Sequence, residues 1–175
     1  AANADLYSKS ANCQFSTLTI NKGAGNALYI NSTSTATLKF GGVVTITSGS
    51  LIGQAGITTI FYNNIVNTGS FSFNNGTVSL EKSSGTQNIQ AGTSNSFYHL
   101  TVNTAGTVTL SGNIVVKKDL LIQAGILDPL GNMIEVWGNW TNSVGTAGFT
   151  EGTGRVIFSG SGGHQYCTDE TFNIL

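Results

Sequence analysis

Residues 14–21 read "QFSTLTIN" and residues 96–103 read "SFYHLTVN"; residues 171–175, "TFNIL", open the same phrase a third time. Internal repetition constrains a fold more than composition does, because each copy must be a structural unit that buries its apolar face against the next. Phe15 and Phe97 are 82 residues apart, and Phe97 and Phe172 are 75 apart. Other marks keep step. "VVTITSGSLI" (43–52) aligns with "DLLIQAGILD" (119–128), matching Gly49 to Gly125 and Leu51 to Leu127. "GTVSLEKSSGTQNI" (76–89) aligns with "GRVIFSGSGGHQYC" (154–167), matching Gly85 to Gly163 and Gln87 to Gln165, while Phe71 matches Phe149. The register drifts by a few residues between marks, as it does when turn lengths vary and strand positions do not. The chain reads as a single domain, 1–175, built from two long repeats, about 13–95 and 96–170, plus the start of a third.

Within each repeat the local signals are all strand. No window keeps apolar residues at helical spacing. Short runs such as "STLTI", "TTIFY", "TVSL", "TVTL", "DLLI" and "RVIF" are separated by Gly, Asn or Ser pairs. Thr17 to Ile20 and Thr107 to Leu110 alternate polar and apolar, which sends one side chain in and the next out. Pro129 is the only proline, so little interrupts a strand ladder. Three short strands and three turns take roughly 20–25 residues, which suits one coil of a repeat stack. The expected fold is therefore all-β, a parallel β-solenoid of about seven coils, some 35 Å tall at about 4.8 Å per strand. Leu18, Ile20, Leu100 and Val102 are expected to face its bore, and Phe71, Phe149 and Phe158 to fill it. A β-sandwich is the alternative, but it wants hairpins, and Asn75-Gly76 is the one Asn-Gly pair available to make one.

The phrases also carry a resemblance. Phe15, Leu18, Ile20 and Asn21, then Phe97, Leu100, Val102 and Asn103, and "GNWTN" at Gly138 to Asn142 resemble the repeats of β-helical cell-surface proteins. Those are the secreted filamentous-haemagglutinin-like adhesins and repetitive envelope proteins of bacteria and archaea. The resemblance covers nearly the whole chain and implies architecture; such coils serve as stalks, adhesins and envelope parts alike.

Composition bounds the chemistry. Charged residues are 9 % of the chain and the net charge is −1. That leaves no basic surface for nucleic acid and no basic run for an anionic membrane. No stretch reaches the ~18 apolar residues of a membrane helix. Low charge with abundant Thr, Asn and Gly suits a secreted, extracellular or cell-envelope protein. The opening "AANADL" reads as the end left by a removed signal peptide, or else as an arbitrary boundary. Asp169-Glu170 is the only adjacent acidic pair, and neighbours on a strand face opposite ways. His99 and His164 have no nucleophile or carboxylate context, and "GSGGHQ" lacks the lysine of a phosphate loop. The expectation is no catalytic residue, no metal and no cofactor; a β-helical lyase needs more charge than this chain has. Ice binding through Thr rows needs one fixed coil position that "TSTAT" and "TVTL" do not keep.

What remains is binding and assembly. Trp137 and Trp140 could form a flat platform for sugar rings, or pack inside. Asn31, Asn75 and Asn139 each open a glycosylation sequon. Cys13 and Cys167 fall in the first and last coils, some 30 Å apart in a solenoid, too far to bond within one chain. They are either intersubunit disulfide partners or inert thiols. A phrase near each end, with no cap beside it, leads to the functional expectation: a self-assembling structural subunit of an extracellular sheath, surface layer or filament. Its partner is itself, head to tail, with uncapped coils meeting end to end. The alternative is a segment of a secreted adhesin that binds carbohydrate.

Overall fold

A computed structural model of the protein describes residues 2–10, 13–32, 37–90, 92, 94–168 and 170–172. Asp169, residues 33–36 of the threonine row and residues 173–175 of the third phrase lie outside the described residues. The chain forms a parallel β-solenoid of about seven turns with 55 % strand and 2 % helix. Side-chain direction is therefore set almost everywhere by the two-residue alternation. Named strands pair in parallel, which excludes the hairpin-built sandwich. Asn75-Gly76 makes no hairpin; Asn75 takes a left-handed φ of 53° at a corner between two faces.

Each coil has three faces. The first face stacks Ala4–Ser8, Ala27–Ser32, Ser50–Gly53, Ser70–Phe73, Ser94–Phe97, Ile114–Val116, Met133–Val136 and Arg155–Phe158, one per coil from coil 1 to coil 8. The second stacks Gln14–Phe15, Leu38–Phe40, Thr58–Phe61, Thr77–Leu80, the first halves of His99–Leu110 and Leu120–Asp128, and Trp140–Asn142. The third stacks Leu18–Asn21, Val44–Ser48, Ile65–Asn67, Thr86–Ile89 and the second halves of those two long strands. Register partners lie from 19 residues apart (Ser96 beside Val115) to 27 (Asn21 beside Ser48). Seven steps of about 4.8 Å make the first face about 34 Å tall.

The bore is filled by inward columns that run from coil to coil. On the second face one column is Phe15, Phe40, Phe61, Leu80, Val102 and Ile122. Its rings stack at 5.6 Å (Phe15 on Phe40) and 5.2 Å (Phe40 on Phe61). Ile20, Leu100 and Val102 are buried as expected, and Leu18 packs half-buried against the core in the first coil. Phe71 and Phe149 are buried too. Phe158 departs from its expected core place: it continues the inward column of Phe97, Val116 and Val136, yet it is 37 % exposed because no described coil covers it.

On the first face Gly53 occupies an inward position beside Phe73. A Cβ on Gly53 would overlap the Phe73 ring, which fills the space that the glycine leaves. Gly53→Val is therefore expected to cost about 1–3 kcal/mol by overpacking. Chemical denaturation checks it, and the double variant Gly53→Val, Phe73→Ala is expected to recover part of the loss.

The matched phrases turn out to sit on different faces. Phe15 is on the second face of coil 1 and Phe97 on the first face of coil 5. Leu51 is on the first face of coil 3 and Leu127 on the third face of coil 6. Phe71 is on the first face of coil 4, and Phe149, bridged to Leu127, on the third face of coil 7. Each pair is separated by three coils and two faces, so the long repeat is not a whole number of coils. A corner is the same local problem on every face: a chain leaving one strand must turn about 120° and start the next. Gly49 and Gly125 solve it with φ of 83° and 80° at equivalent corners on different faces.

Candidate functional site

Three parts of the solenoid could act on something outside it: the outer wall of the first face, the corners, and the two ends. On the outer wall, Ile52, Ser72, Ser96, Val115 and Glu135 form one outward column, each in register with the last. Lys117 and Trp137 stand beside it and help to shape a groove of roughly 420 Å³. Trp137 is 44 % exposed. Its indole N–H donates to Glu135 Oε1 at 2.7 Å, and Ser159 Oγ–H donates to the same oxygen at 2.6 Å. Those bonds, the one from Ser159 foremost, hold the Glu135 carboxyl below its ordinary range. The ring is thus fastened while Glu135 is ionised and loosens as pH falls through that lowered pKa. Along the groove the hydroxyls already serve one another: Ser50 and Ser70 oxygens are 2.7 Å apart, and those of Ser72 and Ser96 3.4 Å.

Trp140 is not part of this wall. It opens the second face of coil 7 in register with Leu120 and points into the bore, fully buried. Its ring lies 4.9 Å from Phe149 and 5.4 Å from Phe172, and its Nε1 has no acceptor among the described residues. The expected two-tryptophan platform is corrected on this point: a corner at Gly138 separates the residues and sends one ring out and the other in. Of the two tryptophans, Trp137 alone presents its ring to solvent.

The sequons differ in the same way. Asn75 is exposed at its corner. Asn31 Nδ2 donates to Asp5 Oδ1 at 2.7 Å, and Asn139 Oδ1 accepts the Tyr166 N–H at 2.9 Å. Of the three sequon asparagines, Asn75 is the one open to solvent. His99 faces outward and sits 3.4 Å from Asp119 on the next coil, a solvent-screened contact worth about 0–1 kcal/mol when the imidazole is charged. Asp119 also accepts the Asn139 backbone N–H at 2.9 Å, so its main work is structural. Glu170 accepts from Asn142 Nδ2 at 2.6 Å. His164 lies by Tyr166, ring centres 6.4 Å apart. Among the described residues no three of His, Cys, Asp and Glu come together to hold a metal ion.

The corners hold residues that the sequence matched without revealing their work. Gln87 is buried; its Nε2 donates to the carbonyls of Phe61 and Asn63 on the coil below, both at 2.8 Å, and its Oε1 accepts the Lys82 N–H at 3.3 Å. Gln165 repeats this pattern on another face. Its Nε2 donates to Val136 O at 3.1 Å and Gly138 O at 2.7 Å, and its Oε1 accepts the Gly160 N–H at 3.1 Å. A long loop leaves backbone groups that no strand can meet, and one amide side chain supplies both the donors and the acceptor. Asn67 and Asn142 form a second such pair: each accepts the N–H two residues on at 3.0 Å, from Gly69 and Val144.

At the ends the bore's own side chains come to the surface. Leu6, Phe15 and Leu18 are only partly covered at one end, and Val156 and Phe172 at the other. Tyr166 is 68 % exposed beside them. Cys13 is half-buried in coil 1 and Cys167 exposed in coil 8, with no disulfide joining them to each other. No protein-family model, curated protein or solved structure matches the chain.

Proposed function

We propose that this chain is a structural subunit of an extracellular sheath, surface layer or filament, and that it extends by stacking coil on coil with further copies of itself. The observation that carries the reading is the pair of end surfaces. Each carries part-exposed apolar residues of the bore and a set of strands paired on one side only among the described strands. Apolar surface and open strand edges of that kind are met by another coil of the same cross-section. The low charge, 9 % of residues, places little repulsion between copies. The same scarcity of charge supports a role without catalysis. Negative-stain electron microscopy of the purified chain tests it: unbranched fibres as wide as one solenoid are expected, and dispersed monomers at all concentrations would refute it.

A second reading is supported by the groove at Trp137. An exposed indole beside a row of serine hydroxyls is the chemistry of a neutral glycan site, as in a secreted adhesin. Glycan-array binding that is lost in Trp137→Ala, with assembly unchanged, would establish it.

A further inference from the structure

Cys13 and Cys167 occupy the same place in the coil. Cys13 immediately precedes Gln14, whose partner is Lys39, so it heads the column that continues through Leu38. Leu38 is in register with Thr59, Thr59 with Val78, Val78 with Leu100, Leu100 with Leu120, and Leu120 with Trp140. Trp140 is bridged in parallel to Cys167. A coil offers 19 to 27 positions, and the two cysteines fall on one of them, seven coils apart. Every residue between them on this column is buried and faces the bore. The cysteines are less covered only because each sits in an end coil.

From this register, and resting on the stacking reading above, we infer that copies join without rotation, coil 8 of one against coil 1 of the next, and that a disulfide between Cys167 and Cys13 of the next copy seals each joint. In an unrotated joint the two Cα atoms lie one strand spacing apart, about 4.8 Å, within the 4.4–6.8 Å that a disulfide spans. Cys13 precedes a two-residue strand and Cys167 makes an isolated bridge, so neither is held in a long ladder and the backbone can adjust to bring the sulfurs together. Any other rotation places Cys167 against another face. The joint also continues the bore across the boundary: Phe158 meets Leu6 of the next copy, because both belong to the column that runs through Ile30. The bond is then enclosed among apolar side chains, away from soluble thiols.

The chemistry balances as thiol–disulfide exchange. Cys167, whose Sγ–H donates to its neighbour's carbonyl at 3.1 Å, attacks a small-molecule disulfide as the thiolate and releases one thiol. Cys13 of the next copy attacks the mixed disulfide and releases the second. Two protons and two electrons pass from the cysteines to the oxidant, and one S–S bond forms.

The test is assembly of the 175-residue chain with glutathione disulfide, read by non-reducing electrophoresis, peptide mass spectrometry and electron microscopy. A ladder that collapses to the ~18 kDa chain with reductant is expected, with one cross-linked peptide joining Cys13 to Cys167. Eight coils per copy give an axial repeat of about 38 Å. Cys13→Ser and Cys167→Ser are each expected to abolish the ladder above dimers while still forming fibres. Fibres in which no Cys13–Cys167 peptide forms, or in which only like pairs form, overturn the unrotated joint and leave stacking intact. Absence of fibres in both the parent chain and the double serine variant overturns stacking itself.

Discussion

Replacing Leu100 by aspartate is expected to abolish folding. Leu100 is 1 % exposed at the start of the second face of coil 5, between Val78 below and Leu120 above, and the column is closed on both sides. Losing the leucine alone costs about 2–5 kcal/mol through lost burial and the cavity left behind. A carboxylate in its place must enter the bore ionised, or else take a proton, and either adds several kcal/mol. Together these match the whole stability of an ordinary domain, about 5–15 kcal/mol. Position adds to the cost. In a stack each coil is held by its neighbours, so a failure at coil 5 separates the coils below it from those above. The adjacent residue supplies the control. Thr101 alternates to the outer surface in the same strand, and Thr101→Asp is expected to cost no more than about 1 kcal/mol. Circular dichroism and gel filtration of the two variants decide the matter. A folded Leu100→Asp, or equal damage from both changes, would place the bore on the wrong side of the strand.

The solenoid was legible because its two signals are local. Alternation in "LTI" and "TVTL" fixes which side chains turn inward, and a coil needs nothing more than that alternation and a corner every few residues. The repeat was legible too, but what it repeats was not. Phe15 and Phe97 share a phrase and not a face, because the phrase encodes a corner, and corners on the three faces are alike. Sequence matching sees the corner and is blind to the rotation. Trp137 and Trp140 fail for a related reason. Three residues on a straight strand would set the rings on opposite sides with certainty; across a corner the spacing carries no such rule, and only the fold separates the indole that meets solvent from the one that packs on Phe149. The cysteine register lay further from view. It depends on the sum of seven coil lengths, each free to vary by a few residues, so no spacing in the chain announces it.

The glutamine corners allow one structural motif to be compared with itself at two depths. Gln87→Leu keeps the volume and removes the amide. Phe61 O keeps its other donor, the Glu81 N–H at 2.9 Å, but Asn63 O and the Lys82 N–H lose the partners that Gln87 gave them. An orphaned group costs about 1–3 kcal/mol when water cannot replace the partner, so about 2–6 kcal/mol is expected here for the two. At Gln165 the same substitution removes the same bonds, with Val136 O likewise retaining the Ser159 N–H at 3.0 Å. Gln165 is half-buried where Gln87 is wholly buried, so water can reach the groups left behind. Gln165→Leu is therefore expected to cost less than half as much. A glutamate at position 87 sharpens the test, because its carboxylate would face two carbonyl oxygens and can donate only when protonated. Its pKa in the folded state must rise above the ordinary value of about 4.3. Gln87→Glu should therefore be most stable below that value and lose stability as pH rises through the raised one, the reverse of a salt-bridged carboxylate. Urea unfolding of the three variants between pH 4 and pH 8 checks both claims (both limits lying about the ordinary carboxyl and neutral ranges). Equal losses at Gln87 and Gln165 would show that the amide's bonds, rather than the burial of what they satisfy, set the cost. A pH-independent Gln87→Glu would show that the side chain swings out to solvent and that the corner holds without it.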